Sequence, residues 1–477
     1  MIHSMRNPIH PMHTVTAREL ARQGSAAATL LQAAGVTERQ VVAVISPSPA
    51  VVCVLAHATA SLGAALLPLD PALPETVLEH LLVQTGAGTV VAPRPYAARR
   101  HIEPAAVLAC ARGATPPPSR LAADDIALMV ATSGSSAEPK AVMLTAHNLR
   151  AAALAAAART PLRPGDRWLA CLPLFHIGGY SILVRCALAG AEALLQQRFD
   201  AERVWHALRT QGITHLSLVP TMLTQLLELT PQAPPPSLRH VLVGGAALSG
   251  ELAERAVRHG WPLQPSYGMS ETASQVATLA RLVPPWRPGL VGQPLPGVEV
   301  RQRADRRLEV RGPMVMAGYA NPAHRRGVGL VDGWFVTNDL AQITGDGELV
   351  ISGRADAVII SGGKKVQPVW VEEALVHCPG LDAVCVVGRS DAVWGELVTA
   401  VYSGAWDAET LLSWCRNNVR SRLRPRAALR LPRLPLLSNG KPDRQALRAL
   451  AAGDDVVRMQ AKDSPAPRCE DTEIAKE

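Results

Sequence analysis

The sequence predicts a layered α/β architecture, with parallel sheets covered by helices, then a strand-rich region and a smaller α/β unit. Three observations carry this expectation. Apolar runs alternate with helical patterns through the first two-thirds of the 477 residues. After about Gly289 the pattern changes to short strands and turns, and after Arg354 a second, shorter α/β rhythm begins. A chain of this length exceeds what one hydrophobic core organises, so more than one domain is expected.

Taken in order, residues 41–45 and 89–92 read as short buried strands. Between them, 50–61 reads as a buried helix and 64–67 as a strand, with Pro68 closing the apolar stretch. Residues 51–69 form the most apolar segment, but a membrane span wants ~20 clean apolar residues. His57, Thr59, Ser61 and Gly63 interrupt it, so no membrane insertion is expected. Residues 151–158, 201–211 and 220–229 read as helices, and 168–172, 215–219 and 240–243 as strands. The Pro-rich segments 115–119 and 232–237 read as surface connections. Beyond Gly289, strands are expected at 298–302, 307–311, 333–337 and 348–351. The last unit has strands at 383–387 and 398–402 and a helix near 409–422. Residues 451–477 are polar and without periodicity, and a disordered tail is expected there.

Composition narrows the function. Hydrophobic residues make up 48% and charged residues 18%, which argues against disorder in the body. The first 17 residues lack the apolar core of a secretory signal. Eight cysteines are scattered, without a C-x-x-C pair or histidine spacing for zinc, so reduced thiols and a cytoplasmic setting are expected. The net charge of +8 suits anionic ligands such as nucleotides, although compositional bias explains it equally well. The arginines are dispersed rather than gathered in a stripe, which speaks against a nucleic-acid partner. A homo-oligomer is left open. Lys and Arg together number 48, and only six are Lys (140, 364, 365, 441, 462, 476), so a lysine retained in the body suggests a need for a compact, rotatable ammonium.

The most informative segment is 129–140, MVATSGSSAEPK. A strand, 126–130, runs into a turn of small, hydroxyl-bearing residues that ends at Lys140. Backbone N–H groups in such a turn can cradle phosphate, with hydroxyl donors from Thr132, Ser133, Ser135 and Ser136 and a point charge from Lys140. On this segment alone an ordinary serine-rich loop remains an alternative. It is not a Walker loop, because Pro139 and Ala141 flank Lys140 where that motif needs Gly and Ser or Thr.

The segment resembles the phosphate loop T-S-G-[ST]-[ST]-G-x-P-K of the acyl-adenylate-forming superfamily of acyl-CoA synthetases, luciferases and nonribosomal-peptide adenylation domains. Ala137 stands where the family has Gly, a change that costs ~1 kcal/mol or more if φ is positive there. Ala141, also often Gly in the family, is a milder departure. Further motifs of the family follow in order. Pro173-Leu174-Phe175-His176 resembles the segment whose aromatic or His position lines the carboxylate pocket, although a lone Phe-His pair is more often core. Val243-Gly244-Gly245-Ala246 resembles the adenine-facing backbone segment. Tyr267-Gly268-Met269-Ser270-Glu271-Thr272 resembles Y-G-x-[ST]-E, which implies Tyr267 on adenine, Thr272 at the α-phosphate and Glu271 at Mg²⁺. Trp334-Phe335-Val336-Thr337-Asn338-Asp339 resembles W-[FY]-x-T-G-D, with Asp339 on the ribose and Asn338 replacing Gly. Gly353-Arg354-Ala355-Asp356 resembles G-R-x-D, which implies a ribose contact for Arg354 and a hinge at Asp356. Pro435-Leu436-Leu437-Ser438-Asn439-Gly440-Lys441 resembles P-x-x-x-x-G-K, which implies Lys441 as the catalytic cation; a solvated loop lysine is the alternative.

The resemblance covers roughly residues 15–450. It implies an adenylation domain at 1–353 that includes a distorted β-barrel region, a hinge at 354–356 and a small, mobile α+β domain at 357–450. The cofactors implied are ATP, Mg²⁺ and coenzyme A as acceptor. A carboxylate would displace pyrophosphate from ATP under Lys441, and a swing about Asp356 would then present Ser361-Gly362-Gly363-Lys364 to the thiol. Residues 172–183, LPLFHIGGYSIL, and 267–279, YGMSETASQVATL, look like the o-succinylbenzoate–CoA ligases of menaquinone biosynthesis. His176, Ser181, Ser274 and Gln275 are then the candidates for binding the acid. Other aryl or medium-chain acyl-CoA ligases remain an alternative. So does a catalytically idle paralogue that binds nucleotide or acyl ligand, for which Ala137 is the one supporting feature.

Overall fold

The computed structural model describes residues 16–113, 115, 117–132 and 139–459. Four sheets organise them. In the first, the parallel strands Ile126–Thr132, Ala65–Leu69, Val41–Ile45, Thr89–Val91 and Arg100–Ile102 lie side by side. Lys140–Thr145 and Gly318–Tyr319 extend that sheet in antiparallel fashion. Val41–Ile45 is buried at every position, as a strand covered on both faces must be.

The apolar stretch near residue 51 folds as the helix Pro49–Leu62, stopped by Gly63 at φ 66°, and then the strand Ala65–Leu69. Pro68 therefore lies inside the strand instead of closing the apolar stretch. The pairing explains why the sheet tolerates it: Pro68 faces Val44 on one side, while pairing to Ile126–Thr132 on the other is confined to Leu66 and Leu128. No helix among the described residues is long and apolar enough to cross a membrane.

The second sheet has the order Ser274–Thr278, Leu263–Met269, His240–Val243, His215–Leu218, Arg167–Ala170, Glu192–Leu195. All its pairings are parallel except the one with Ser274–Thr278. Its helices include Ala201–Thr210, capped by Asp200, and Pro220–Leu229, started by a proline in its first turn. Residues 290–354, where short strands and turns were expected, fold as a six-stranded antiparallel sheet in which Trp334–Ile343 pairs with both Arg307–Arg311 and Leu349–Arg354. The fourth sheet is built on the hairpin Ala383–Asp391/Gly395–Ser403, with Ala427–Arg430 alongside. Here one expectation is corrected. Structure continues past Ala451: Val456 is buried and Val457–Arg458 pairs with Ala427 and Ala428. Two apolar residues were enough to close a sheet edge inside an otherwise polar stretch; residues 460–477 lie outside the described part.

The core of the second sheet holds a polar cluster with a stability consequence. His215 and His240, in register on adjacent strands, stack at 4.7 Å between ring centroids. Burial first, then the neighbouring His240, pushes His215 from 6.5 down to about 4. A histidine whose pKa is lowered by folding takes up its proton in the unfolded state first. Its contribution is complete above pH 6.5 and is lost as pH falls from there towards 4, with a slope of about 1.4 kcal/mol per pH unit. Denaturant titrations at pH 7 and pH 5 should show this loss, and it should shrink in His215→Gln. An undiminished loss in that variant would remove His215 as the cause.

Candidate functional site

Parallel strands place all their carboxyl ends on one edge, and in open α/β sheets ligands bind beyond that edge. The second sheet does this with three motif segments and the start of one helix. Pro173–His176 follows Arg167–Ala170, Val219–Thr221 follows His215–Leu218, and Gly244–Ala246 follows His240–Val243. Tyr267 and Gly268 end Leu263–Met269. Gly244 touches the next strand: a Cβ there would lie 2.8 Å from the Ser266 carbonyl oxygen. Gly268 is tighter, with the Ser274 carbonyl oxygen 1.7 Å from any Cβ. Gly245 and Ala246 are exposed, so their backbone is open to a flat ligand.

The antiparallel sheet supplies the opposite wall. Asp339 and Arg354 are direct cross-strand partners, and Arg354 Nη1 donates to Asp339 Oδ1 at 3.2 Å. Tyr267 Oη donates to Asp339 Oδ2 at 2.7 Å, which joins the two sheets. Burial raises the Asp339 carboxyl above its usual range against the pull of Arg354 and Tyr267. Burial also raises the Tyr267 phenol, reinforced by Asp339. Arg354 forks onto Asp356 as well, with Nε to Oδ1 at 2.8 Å and Nη2 to Oδ2 at 2.6 Å. Asn338 Nδ2 donates to the same Oδ2 at 3.2 Å. Burial opposes the Arg354 charge, but Asp356 and Asp339 more than restore it.

Lys441 enters this space from the last unit. Its Cε and Nζ lie 3.0 and 3.5 Å from where a Cβ on Gly245 would be. Burial lowers its ammonium pKa, Arg354 adds to the shift and Asp339 opposes it. His176 Nε2 is 3.3 Å from Ser438 Oγ, three residues before Lys441. Burial, then Lys441, pushes His176 down to about 4, so its ring is neutral at physiological pH. A cavity of about 230 Å³ remains between this loop and the second sheet, lined by Arg198, Phe199, Met222, Gln225 and Leu436 among others.

A second polar group joins two of the expected candidates, Ser181 and Ser274, to Arg185, which was not foreseen. Arg185, on the helix Ile177–Ala189, is buried, donates from Nη2 to Ser274 Oγ at 3.1 Å and stacks on Trp168 at 5.5 Å. Ser181 Oγ is 3.5 Å from the same Ser274 Oγ. Burial lowers the Arg185 pKa to about 10, and its Nε has no hydrogen-bond partner. Among the described residues no carboxylate forms an ion pair with it. A lone charge in the apolar run IGGYSILVRCALA was the available signal. Gln275 is not part of this group. Successive strand residues point to opposite faces, and its Nε2 donates instead to Ser266 and Thr278. Thr272 is fully buried, and its hydroxyl donates to the Met269 and Ser274 carbonyls.

Glu271 accepts from Tyr319 Oη at 2.8 Å, and the Lys140 ammonium lies 5.2 Å from the centroid of the Tyr319 ring. Burial raises the Glu271 carboxyl pKa. Among the described residues no three acidic, His or Cys side chains gather for a metal. A single carboxylate is nevertheless a fitting donor set for Mg²⁺, which is commonly held by one or two carboxylates plus substrate phosphates. Thr132 Oγ1 donates to the Lys140 carbonyl at 3.2 Å, closing the base of the serine-rich loop. Ser133, Gly134, Ser135, Ser136 and Ala137 lie outside the described residues. Gly362 and Gly363 form the turn of a hairpin, at φ 56° and 75°, tied to the Trp394 carbonyl by the Gly362 N–H. The structure brings them into no hydrogen bond with the Lys441 cluster.

With this geometry in view, comparison with known proteins is specific. Residues 5–320 match the AMP-binding enzyme family, and residues 370–441 match the AMP-binding enzyme C-terminal domain. A 2-succinylbenzoate–CoA ligase from Bacillus cereus is 36% identical over 334 residues, covering 68% of this chain and 69% of that protein. The Bacillus subtilis o-succinylbenzoate coenzyme A synthetase in complex with ATP and magnesium superposes with a TM-score of 0.80 at 29% identity, over 90% of this chain and 93% of that one. A double mutant of the same enzyme bound to a product analogue superposes with a TM-score of 0.65 at 28% identity, over 93% of each chain.

Proposed function

The chain belongs to the AMP-binding enzyme family and is an AMP-forming acid–thiol ligase, and we propose that the acid it activates is o-succinylbenzoate. Arg185 is the observation that carries the choice of acid. A buried guanidinium without a carboxylate partner calls for an anion from the ligand. o-Succinylbenzoate has two carboxylates; one reacts, and the aromatic one is left to meet Arg185, Ser274 and Ser181. A mono-acid would leave that charge unpaired. The relatives that act on this acid support the same choice.

In the first half-reaction a carboxylate oxygen attacks the α-phosphorus of ATP, and the bond to pyrophosphate breaks. Tyr267, Gly244, Gly245 and Ala246 hold the adenine, Asp339 and Arg354 the ribose, and Thr132, Lys140 and the serine-rich loop the phosphates. Glu271 would hold Mg²⁺, whose part is to neutralise phosphate charge. Lys441 offsets charge that grows on the phosphate oxygens. His176, neutral and next to Lys441, orients the acid without adding a second cation. In the second half-reaction the thiol sulfur of coenzyme A attacks the acyl carbonyl, AMP leaves and the thiol proton is released. We place the pivot between the two at Asp356, with 1–353 and 357–450 as the units that move. The hairpin turn at Gly362 and Gly363 would then face the thiol. The higher superposition score with the ATP complex than with the product-analogue complex supports an adenylating arrangement for this conformation.

Pyrophosphate release with Mg·ATP and coenzyme A across a panel of acids tests the proposal. Strong release with o-succinylbenzoate, and little with benzoate or medium-chain acids, is expected, with a coenzyme A thioester as product. Release favouring a mono-acid would discard the proposed acid and keep the ligase.

A further inference from the structure

The loop that carries Lys441 is internally braced. Leu437 N–H donates to the Lys441 carbonyl and Gly440 N–H to the Leu437 carbonyl, both at 2.8 Å, and Lys441 N–H donates to Asn439 Oδ1 at 3.1 Å. Such a loop moves as one piece, so the position of the ammonium depends on what grips the loop from outside. The shortest external hydrogen bond comes from Thr221, whose Oγ1 donates to the Gly440 carbonyl at 2.7 Å. Gly440 lies flat against the same place: a Cβ on it would come within 3.1 Å of Val219 Cγ2 and 3.3 Å of Met222 Cε. Its φ of 78° turns the chain straight into Lys441.

Thr221 is in the first turn of Pro220–Leu229, but its hydroxyl does not cap that helix. The cap position is Val219, which makes no side-chain cap bond. Thr224, not Thr221, donates back to the Pro220 carbonyl. The hydroxyl therefore serves a contact between the second sheet and the last unit, 219 residues away in sequence.

From this geometry we infer that Thr221 is a positioning residue for acyl-adenylate formation, holding the Gly440 carbonyl and through it the Lys441 ammonium. The inference rests on the role given to Lys441 under the proposed function. The bond exists only while the Lys441 loop is docked, so thioester formation, which proceeds with that loop withdrawn, does not use it.

The test separates the half-reactions. Thr221→Val keeps the shape and removes the donor; Thr221→Ser keeps the donor. Pyrophosphate release at saturating ATP and acid should fall on the order of three- to ten-fold in Thr221→Val, the range of one lost hydrogen bond, and recover in Thr221→Ser. Thioester formation from supplied acyl-adenylate should stay level or rise in both. An equal loss in the two half-reactions, or no loss in the first, overturns the inference. Lys441→Ala run in parallel distinguishes the two ideas. If it spares pyrophosphate release, the Lys441 role fails and this inference with it. If it abolishes release while Thr221→Val changes nothing, Thr221 alone is wrongly placed.

Discussion

Replacing Lys441 by alanine is expected to slow acyl-adenylate formation by about 10²–10³-fold, the usual loss for one electrostatic donor at a developing charge. Formation of the thioester from supplied acyl-adenylate should be nearly unchanged. Burial and Arg354 already work against the lysine's charge in this conformation. Incoming phosphates would restore it, so its attraction to them rises as negative charge builds on their oxygens. Arginine is not an equivalent replacement, since its planar fork cannot reproduce a compact, rotatable ammonium. Rapid-quench measurement of the two half-reactions decides the matter. Equal losses in both would mean that Lys441 holds the fold or the nucleotide rather than serving the first step.

The second large effect is expected at Arg185. Arg185→Met fills a similar volume without charge, and kcat/KM for o-succinylbenzoate should fall by about 10²-fold or more, as when one partner of a buried charge pair is lost. The variant should discriminate far less between that acid and an analogue lacking the aromatic carboxylate. The unpartnered Nε and the bond to Ser274 motivate this expectation. Since the buried charge has no acidic partner among the described residues, its removal should not lower thermal stability. Thermal unfolding of the unliganded variant checks the second point. If activity falls equally for both acids, Arg185 supports the helix Ile177–Ala189 and not the substrate.

Much of this architecture could be read from the residues, and the exceptions have physical reasons. The runs at 215–219 and 240–243 are short, apolar and bounded by polar or turn residues, and they fold as His215–Leu218 and His240–Val243. The helix read at 151–158 starts earlier, at Ala146, because Thr145 and Asn148 form a reciprocal cap that apolar periodicity does not register. The long strands Trp334–Ile343 and Ala383–Asp391 were read short: their outer halves carry polar residues that tertiary pairing, not local preference, keeps extended. At the site, motif order indicated Tyr267, Asp339, Arg354, Gly245, His176 and Lys441, and they meet in space. Arg185 and Thr221 act through partners far away in sequence, Ser274 and Gly440, which no local pattern encodes. Gln275, one step along the strand from Ser274, spends its Nε2 on Ser266 and Thr278.

The Arg354 side chain grips Asp339 with one nitrogen and Asp356 with two others. One cation thus holds both the carboxylate assigned to the ribose and the carboxylate assigned to the pivot, each through its own nitrogens. Whatever nucleotide binding does to the first contact shifts the free energy of the second. Reciprocity requires that the orientation of the last unit change nucleotide affinity by the same factor. With the pivot proposed at Asp356, AMP release and domain resetting would form a single coupled equilibrium.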